Sequence, residues 1–177
     1  MKKEQKLNAT QIQGKYLTFN LMNEYYGVNV KSILQIVGIL DTSITSVPNS
    51  PQYVKGVINL RGKLIPIIDL RKKFNLPEQE YTDKTSIIIN RLVTDKAELF
   101  IGVIVDRVIE VLDIHAPEIE ETPAFGVDFD VDFILGMGKV KNKVVTLIDI
   151  EEVLTNASIN ATLPPVAQHH ENIACPA

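Results

Sequence analysis

The stretch Gly56-Val-Ile-Asn-Leu-Arg-Gly-Lys-Leu-Ile-Pro-Ile-Ile-Asp-Leu-Arg-Lys-Lys-Phe74 decides the fold. Val54 to Leu60 and Leu64 to Leu70 are β-rich runs, and Arg61-Gly62-Lys63 between them predicts a turn, with Gly62 suited to a positive φ. Asp69 predicts a cap on a short turn over Leu70 to Phe74, which Pro77 ends.

The same pattern returns 80 residues later. Gly56 falls on Gly136, Lys63 on Lys143, Ile68 on Ile148 and Asp69 on Asp149, and Leu64-Ile65-Pro66-Ile67 falls on Val144-Val145-Thr146-Leu147. At an offset of 75, Gly27-Val28 meets Gly102-Val103, Val30 meets Val105, Ile33 meets Val108 and Ile36 meets Val111. A shared spacing of Gly and Asp argues for a duplication of one β-rich unit, each copy with about five short strands. Five short strands suit a small barrel better than a sandwich. Hydrophobic alternation does not say whether strands are exchanged between the copies.

The flanking sequence fits this plan. Leu17, Phe19 and Leu21 alternate with Tyr16, Thr18 and Asn20, and Tyr26, Val28 and Val30 alternate after a turn at Asn23-Glu24, which predicts a hairpin. Ile33, Ile36 and Val37 are spaced for a short amphipathic helical turn. Pro48 and Pro51 mark a loop. Ser86 to Asn90 and Leu99 to Val105 read as strands about a turn at Thr94-Asp95-Lys96, Pro117 to Phe133 as a long irregular stretch, and Ile134 to Val140 and Val144 to Ile150 as a second hairpin about Lys141-Asn142-Lys143. Asp149 with Glu152 opens a short terminal helix. Residues 1–15 read as a flexible arm, 75–84 as a linker and 156–177 as a flexible tail, leaving one domain region over 16–155 with approximate halves 16–80 and 85–155.

The 177 residues carry 45% hydrophobic and 23% charged side chains, an ordinary globular composition that needs neither metal nor disulfide to fold. The net charge of −4 lacks the basic excess of a nucleic-acid binder. One cysteine, Cys175, excludes an intrachain disulfide and favours a reducing compartment. The polar start has no apolar core of a secretory signal, and no run approaches the roughly 20 apolar residues of a membrane span, so no direct membrane insertion is expected.

Chemistry-bearing patterns are few. Gly56 to Gly62-Lys63 is one residue too long for a phosphate loop, and Leu64 stands where Ser or Thr would hold magnesium. Asp128-x-Asp130-x-Asp132 begins like a calcium loop, but Phe133 replaces its glycine and Lys139 its bidentate Glu, which leaves an acidic solvated loop. His115 is alone, and His169, His170 and Cys175 lack zinc-ligand spacing. Asp69 and Asp149 occupy matching positions, and helix capping accounts for each. No metal, cofactor or catalytic site is therefore expected. Arg61, in a turn on otherwise apolar strands, reads either as a solvated charge or as a planar fork of donors aimed at a partner's carboxylate or backbone. Phe125, between Pro123 and Gly126, reads either as folded into the core or as an exposed aromatic anchor.

With these residues the chain resembles the CheW family of chemotaxis coupling proteins. The likeness is carried by the 56–74 stretch, by Tyr26-Gly-Val, Phe100-Ile-Gly-Val-Ile-Val-Asp106, Val108-Ile-Glu-Val-Leu112 and Ile134-Leu-Gly-Met-Gly138, and covers residues 15–155. The resemblance implies a mainly β fold of two SH3-like five-stranded β-barrels with short helices. It implies a cytoplasmic, non-catalytic adaptor recruited to membrane receptor arrays, whose partners are the regulatory domain of the histidine kinase CheA and the cytoplasmic tip of methyl-accepting chemotaxis receptors.

By position, the resemblance assigns Arg61 to coupling and receptor contact, and Ile33, Leu34, Gln35 and Ile36 to a segment near the receptor groove. Many relatives carry Glu where this chain has Gln35, so a salt bridge there is replaced by an amide that can still hydrogen-bond. Thr85, Ile87 and Val108 match positions around the groove between barrels, and Phe125 an aromatic at a kinase-facing contact. The alternative is an adaptor or a kinase regulatory-domain-like module of a chemotaxis-like pathway with a different output. An enzyme would need a convergent acid–base or metal site.

Overall fold

The two apolar runs flanking Arg61 and Gly62 pair as an antiparallel hairpin, and the rest of the chain is organised around that unit and its copy. The structure is a computed structural model, and it describes residues 7–122 and 132–155. In chain order its elements are α1 (Ala9–Ile12), β1 (Gly14–Leu21), β2 (Glu24–Asn29), β3 (Ile33–Gly38), β4 (Val54–Leu60), β5 (Lys63–Asp69), α2 (Leu70–Lys73), β6 (Ser86–Val93), β7 (Glu98–Val105), β8 (Arg107–Ile114), β9 (Ile119–Glu120), β10 (Ile134–Val140), β11 (Lys143–Ile148) and α3 (Ile150–Thr155). Single 3-10 turns lie at Val30–Ser32 and Ala116–Glu118.

The strands form two sheets, ordered β8-β1-β2-β11-β10-β9 and β3-β6-β7-β5-β4. Read from β8 and from β3, the first four pairings are the same in both: antiparallel, antiparallel, parallel, antiparallel. The parallel pairings even share their register, with Gly27 opposite Leu147 in one sheet and Gly102 opposite Ile67 in the other. Each sheet is one SH3-like β domain, and the two-residue β9 adds a sixth strand to the first.

The duplication is therefore real in structure, but its copies are interleaved. The hairpin β1–β2 belongs to the sheet completed by β8, β10 and β11, and the hairpin β6–β7 belongs to the sheet completed by β3, β4 and β5. Each copy gives its first hairpin to the other. The sheets thus do not coincide with the halves 16–80 and 85–155. Alternation specifies which face of a strand is buried, not which strand lies beside it.

Exchange gives the described residues three apolar cores. Ile39, Ile58, Ile65, Ile67, Ile87, Ile89 and Ile104 fill one domain, and Ile12, Tyr16, Leu112, Ile114, Ile119, Val145 and Leu147 fill the other. The third core lies at the seam. It joins Leu17, Phe19, Leu21 and Val28 of one domain to Ile88, Leu92, Ile101, Val103 and Val105 of the other, with Ile150, Val153 and Leu154 of α3. A strand between a domain core and the seam is buried on both faces, which is why β6 reads Ile87-Ile88-Ile89 without alternation. A ladder of rings, Phe19 to Tyr26 to Phe74 to Phe133, extends the seam at centroid spacings of 5.9, 5.9 and 5.2 Å.

Three expectations change. Ile33, Ile36 and Val37 form strand β3, not a helical turn: a bulge between Ile33 and Gln35 shifts the phase, so a strand acquires an apolar spacing that imitates a helix. Residues 9–15 are built into the fold. Asn8 makes a capping box with Gln11, Ile12 is 4% exposed, and the Tyr16 hydroxyl donates to the Ile12 carbonyl at 2.6 Å. The irregular stretch from Pro117 contains β9, which pairs with β10 through Glu120 and Met137. Thr45, at the matching place in the first copy, makes an isolated bridge to Val57.

Candidate interaction surface

Arg61 and Gly62 are the two residues of the β4–β5 turn, with φ of 53° and 84°. Positive φ at both is what a two-residue type I′ hairpin turn requires. Gly62 meets it freely and donates its N–H to Asn59 Oδ1 at 2.9 Å. An arginine in that region is disfavoured by roughly 1–2 kcal/mol. Its side chain is exposed, and no ion pair holds it among the described residues.

The copy of this turn shows the contrast. Lys141 and Asn142 also have positive φ, 49° and 61°, but Lys141 Nζ lies 3.3 Å from Glu110 Oε2 on β8. At the offsets of 80 and 75, Lys141 corresponds to Arg61 and Glu110 to Gln35. One domain thus ties its hairpin tip to its edge strand with a charge pair. The other has an amide, Gln35, at the matching position, and Arg61 makes no such pair among the described residues.

An open groove of about 620 Å³ lies between the β4–β5 hairpin and the end of β3 with the loop after it; Val37, Thr42, Val57, Asn59, Leu60 and Leu64 line it. Two exposed aliphatics are not singled out by the sequence: Leu64, in the groove lining, is 57% exposed, and Leu40, in the loop after β3, is 67% exposed. On β3, Leu34 and Ile36 point outward while Ile33 and Gln35 are half-buried. Their signal was the bulged alternation of β3, which period counting took for a helix.

The remaining expected positions separate by depth. Ile33 and Val108, equivalent by the repeat, both pack half-buried onto the seam core. Ile87 is fully buried in a domain core, so it offers no surface to a partner. Thr85 is 6% exposed; its Oγ1 accepts the Thr82 N–H at 2.9 Å, and its carbonyl accepts the Ile39 N–H at 3.1 Å. Phe125, Asp128 and Asp130 lie outside the described residues.

The carboxylates shared by the copies are caps. Asp69 accepts the Arg71 N–H at 3.0 Å and the Tyr81 hydroxyl at 3.0 Å, and Asp149 accepts the Glu151 and Glu152 N–H groups at 3.0 and 3.3 Å. Burial first, and the Asp69 carboxylate second, push the Tyr81 hydroxyl well above its ordinary pKa. Among the described residues no three His, Cys, Asp or Glu side chains converge as metal ligands.

Comparison with known proteins agrees with this architecture. A family described as "CheW-like domain" matches residues 15–158. The chain is 33% identical over 165 residues to the chemotaxis protein CheW of Klebsiella aerogenes, spanning 93% of this chain and 95% of that one. It is 37% identical over 154 residues to CheW of Bacillus subtilis, spanning 86% and 94%. The crystal structure of the scaffolding protein TtCheW from Thermoanaerobacter tengcongensis superposes with a TM-score of 0.71 at 32% identity, covering 82% of this chain and 95% of that one.

Proposed function

The chain belongs to the CheW family, and from that membership we propose that it couples methyl-accepting chemoreceptors to the histidine kinase CheA by protein–protein contacts. The family is one of scaffold and adaptor proteins in chemotaxis, so the chain makes and breaks no bond itself. The receptor's cytoplasmic hairpin tip lays one helix face on the half-buried aliphatics at the seam, Ile33 and Val108, with Ile36 and Gln35 beside them. Arg61 supplies a charged fork to an acceptor on the partner. The kinase regulatory domain meets a domain end, with Phe125 as a second contact. Signalling is then a shift in the placement of kinase relative to receptor. The site of action is the cytoplasmic face of receptor arrays; no helix among the described residues is long and apolar enough to cross a membrane.

The observation that carries this reading is Arg61: a cation without an ion pair among the described residues, held in a costly backbone conformation beside an open groove, where its copy Lys141 is paired. Residues retained against backbone preference concentrate at functional positions. The test is reconstitution of receptor-containing membranes with CheA. Adding the chain raises kinase activity and makes it ligand-sensitive, and the Arg61→Ala protein, folded normally, does so weakly. Full receptor-stimulated kinase activity with Arg61→Ala removes Arg61 from the mechanism.

A further inference from the structure

Among the described residues, the chain passes between its two domains at two places, Val30–Ser32 and Asp106. The first is a local turn, held by Asn29 through the Lys31 N–H and the Ser32 hydroxyl. The second is built differently. Asp106 is the single residue between β7 of one sheet and β8 of the other, and it is gripped from both sides. Toward the six-stranded sheet, its N–H donates to Asn20 O at 3.1 Å, and its Oδ2 accepts the Met22 N–H at 2.7 Å. Toward the five-stranded sheet, the Arg71 guanidinium of α2 donates Nε to Oδ1 at 2.6 Å and Nη2 to Oδ2.

Two more of that guanidinium's N–H groups are used. Nη1 donates to Pro77 O at 2.8 Å, and Nη2 reaches Gln79 Oε1. Residues 77–82 therefore form a strap across the ion pair. The strap is pinned again by Tyr81 on Asp69, by Lys72 on Glu78 at 2.6 Å, and by Thr82 on Thr85. Beneath it a small cavity of about 30 Å³ is lined by Asp69, Arg71, Gln79, Thr85, Ile104 and Asp106. The Arg71 side chain is 10% exposed and that of Asp106 23%, so losing either partner leaves a charge held away from water, and the hydrogen bond to Asp106 raises the guanidinium's affinity for its proton. A rigid rotation of one domain against the other turns about the two crossovers. At Asp106 it must stretch bonds to both hairpin β1–β2 and α2.

We infer that Arg71, Asp106 and the 77–82 strap form a joint that, at the edge of the seam core, narrows the range of the angle between the two β domains, and that lifting the strap widens that range without unfolding either domain. Arg71, Asp106, Gln79 and Thr85 are positioning residues in this device. Thr85, too buried to touch a partner, acts by holding the strap down. The inference concerns the isolated chain and stands or falls apart from any partner.

The test measures the angle directly. Spin labels are placed on the exposed positions Asp95 and Asp113, one in each domain, as Asp95→Cys and Asp113→Cys in a Cys175→Ser background, and their distance distribution is read by pulsed electron resonance. Hydrogen exchange is followed on the unlabelled full chain. Asp106→Asn and Gln79→Ala broaden the distance distribution at least about twofold and speed exchange at Met22 and over 75–82 about tenfold. Exchange at the β6 and β7 amides stays within about twofold of the parent. An unbroadened distribution in a folded Asp106→Asn protein overturns the inference, as does exchange raised equally in all strands, which marks a merely structural pair. If Asp106→Asn does not fold, Gln79→Ala and Arg71→Lys are judged by the same two criteria.

Discussion

Arg61→Asn separates what the β4–β5 turn needs for folding from what it offers a partner. The turn residues have φ of 53° and 84°, and Arg61 is the one for which that region is unfavourable, by roughly 1–2 kcal/mol. Asn tolerates the left-handed region, and Asn-Gly is the preferred pair for a type I′ turn. The Gly62 N–H keeps its bond to Asn59, because neither group is touched. No ion pair to Arg61 is lost among the described residues, so the substitution stabilises the protein by about 1 kcal/mol, or about 2–4 °C in Tm for a chain of this size. Binding moves the opposite way. Losing a charged anchor of about 2 kcal/mol weakens partner affinity about 30-fold. Urea denaturation and thermal melting read the first effect, and titration with partner reads the second. A Tm lowered by several degrees means that Arg61 works inside the fold. An unchanged affinity means that it does not work outside it. Either result refutes the reasoning.

Three further outcomes follow from the geometry. Gly102→Ala puts a Cβ 2.4 Å from Ile67 Cδ1 and 2.8 Å from Ile87 Cγ2, while Gly27→Ala, at the equivalent register position, meets Leu147 Cδ2 at 3.1 Å and Val145 Cγ1 at 3.2 Å. Overpacking then costs about 3 kcal/mol at the first and about 1 kcal/mol at the second, measured by urea denaturation, and equal losses contradict the contact argument. Asp69→Ala removes a cap and strands the Tyr81 hydroxyl, costing about 3 kcal/mol, whereas Asp149→Ala removes only a cap, about 1 kcal/mol, in the same assay. The folded protein holds Tyr81 protonated above the ordinary tyrosine value of 10.0, so its contribution is intact below pH 10 and is lost as the unfolded chain ionises above it. Unfolding free energy therefore falls with pH from about 10 upward, and Tyr81→Phe flattens that fall; an identical slope in Tyr81→Phe excludes Tyr81 as the cause.

The parts of the fold that were legible in sequence are those set by local chemistry. Gly62 between apolar runs announces its turn, and Asp69 and Asp149 announce their caps, because turn and cap preferences act within four residues. The repeat was legible through Gly56, Gly136, Lys63 and Lys143. The exchange of hairpins was not, since Leu17 and Ile88 look equally apolar whichever strand lies beside them. Strand β3 is hidden in the sequence because its bulge mimics helical spacing, and β8 because Arg107, Glu110 and Asp113 interrupt it with charges that are half-buried or exposed. At the candidate surface, Arg61 stood out as a charge in an apolar frame. Arg71 did not: beside Lys72 and Lys73 it looks like one more solvated cation, and only the return of the chain at Asp106 and Gln79 buries it. Ile87 and Thr85 show the converse limit: nothing in their local sequence says that both are buried, and the structure gives neither a surface of its own.

Calorimetric titration of the full chain with the regulatory domain of CheA, alone and together with a receptor cytoplasmic hairpin fragment, tests the adaptor account most directly. The account predicts micromolar or tighter binding to each, with both held in one complex. Binding to neither cognate partner contradicts it and leaves the paired SH3-like domains without their assigned role.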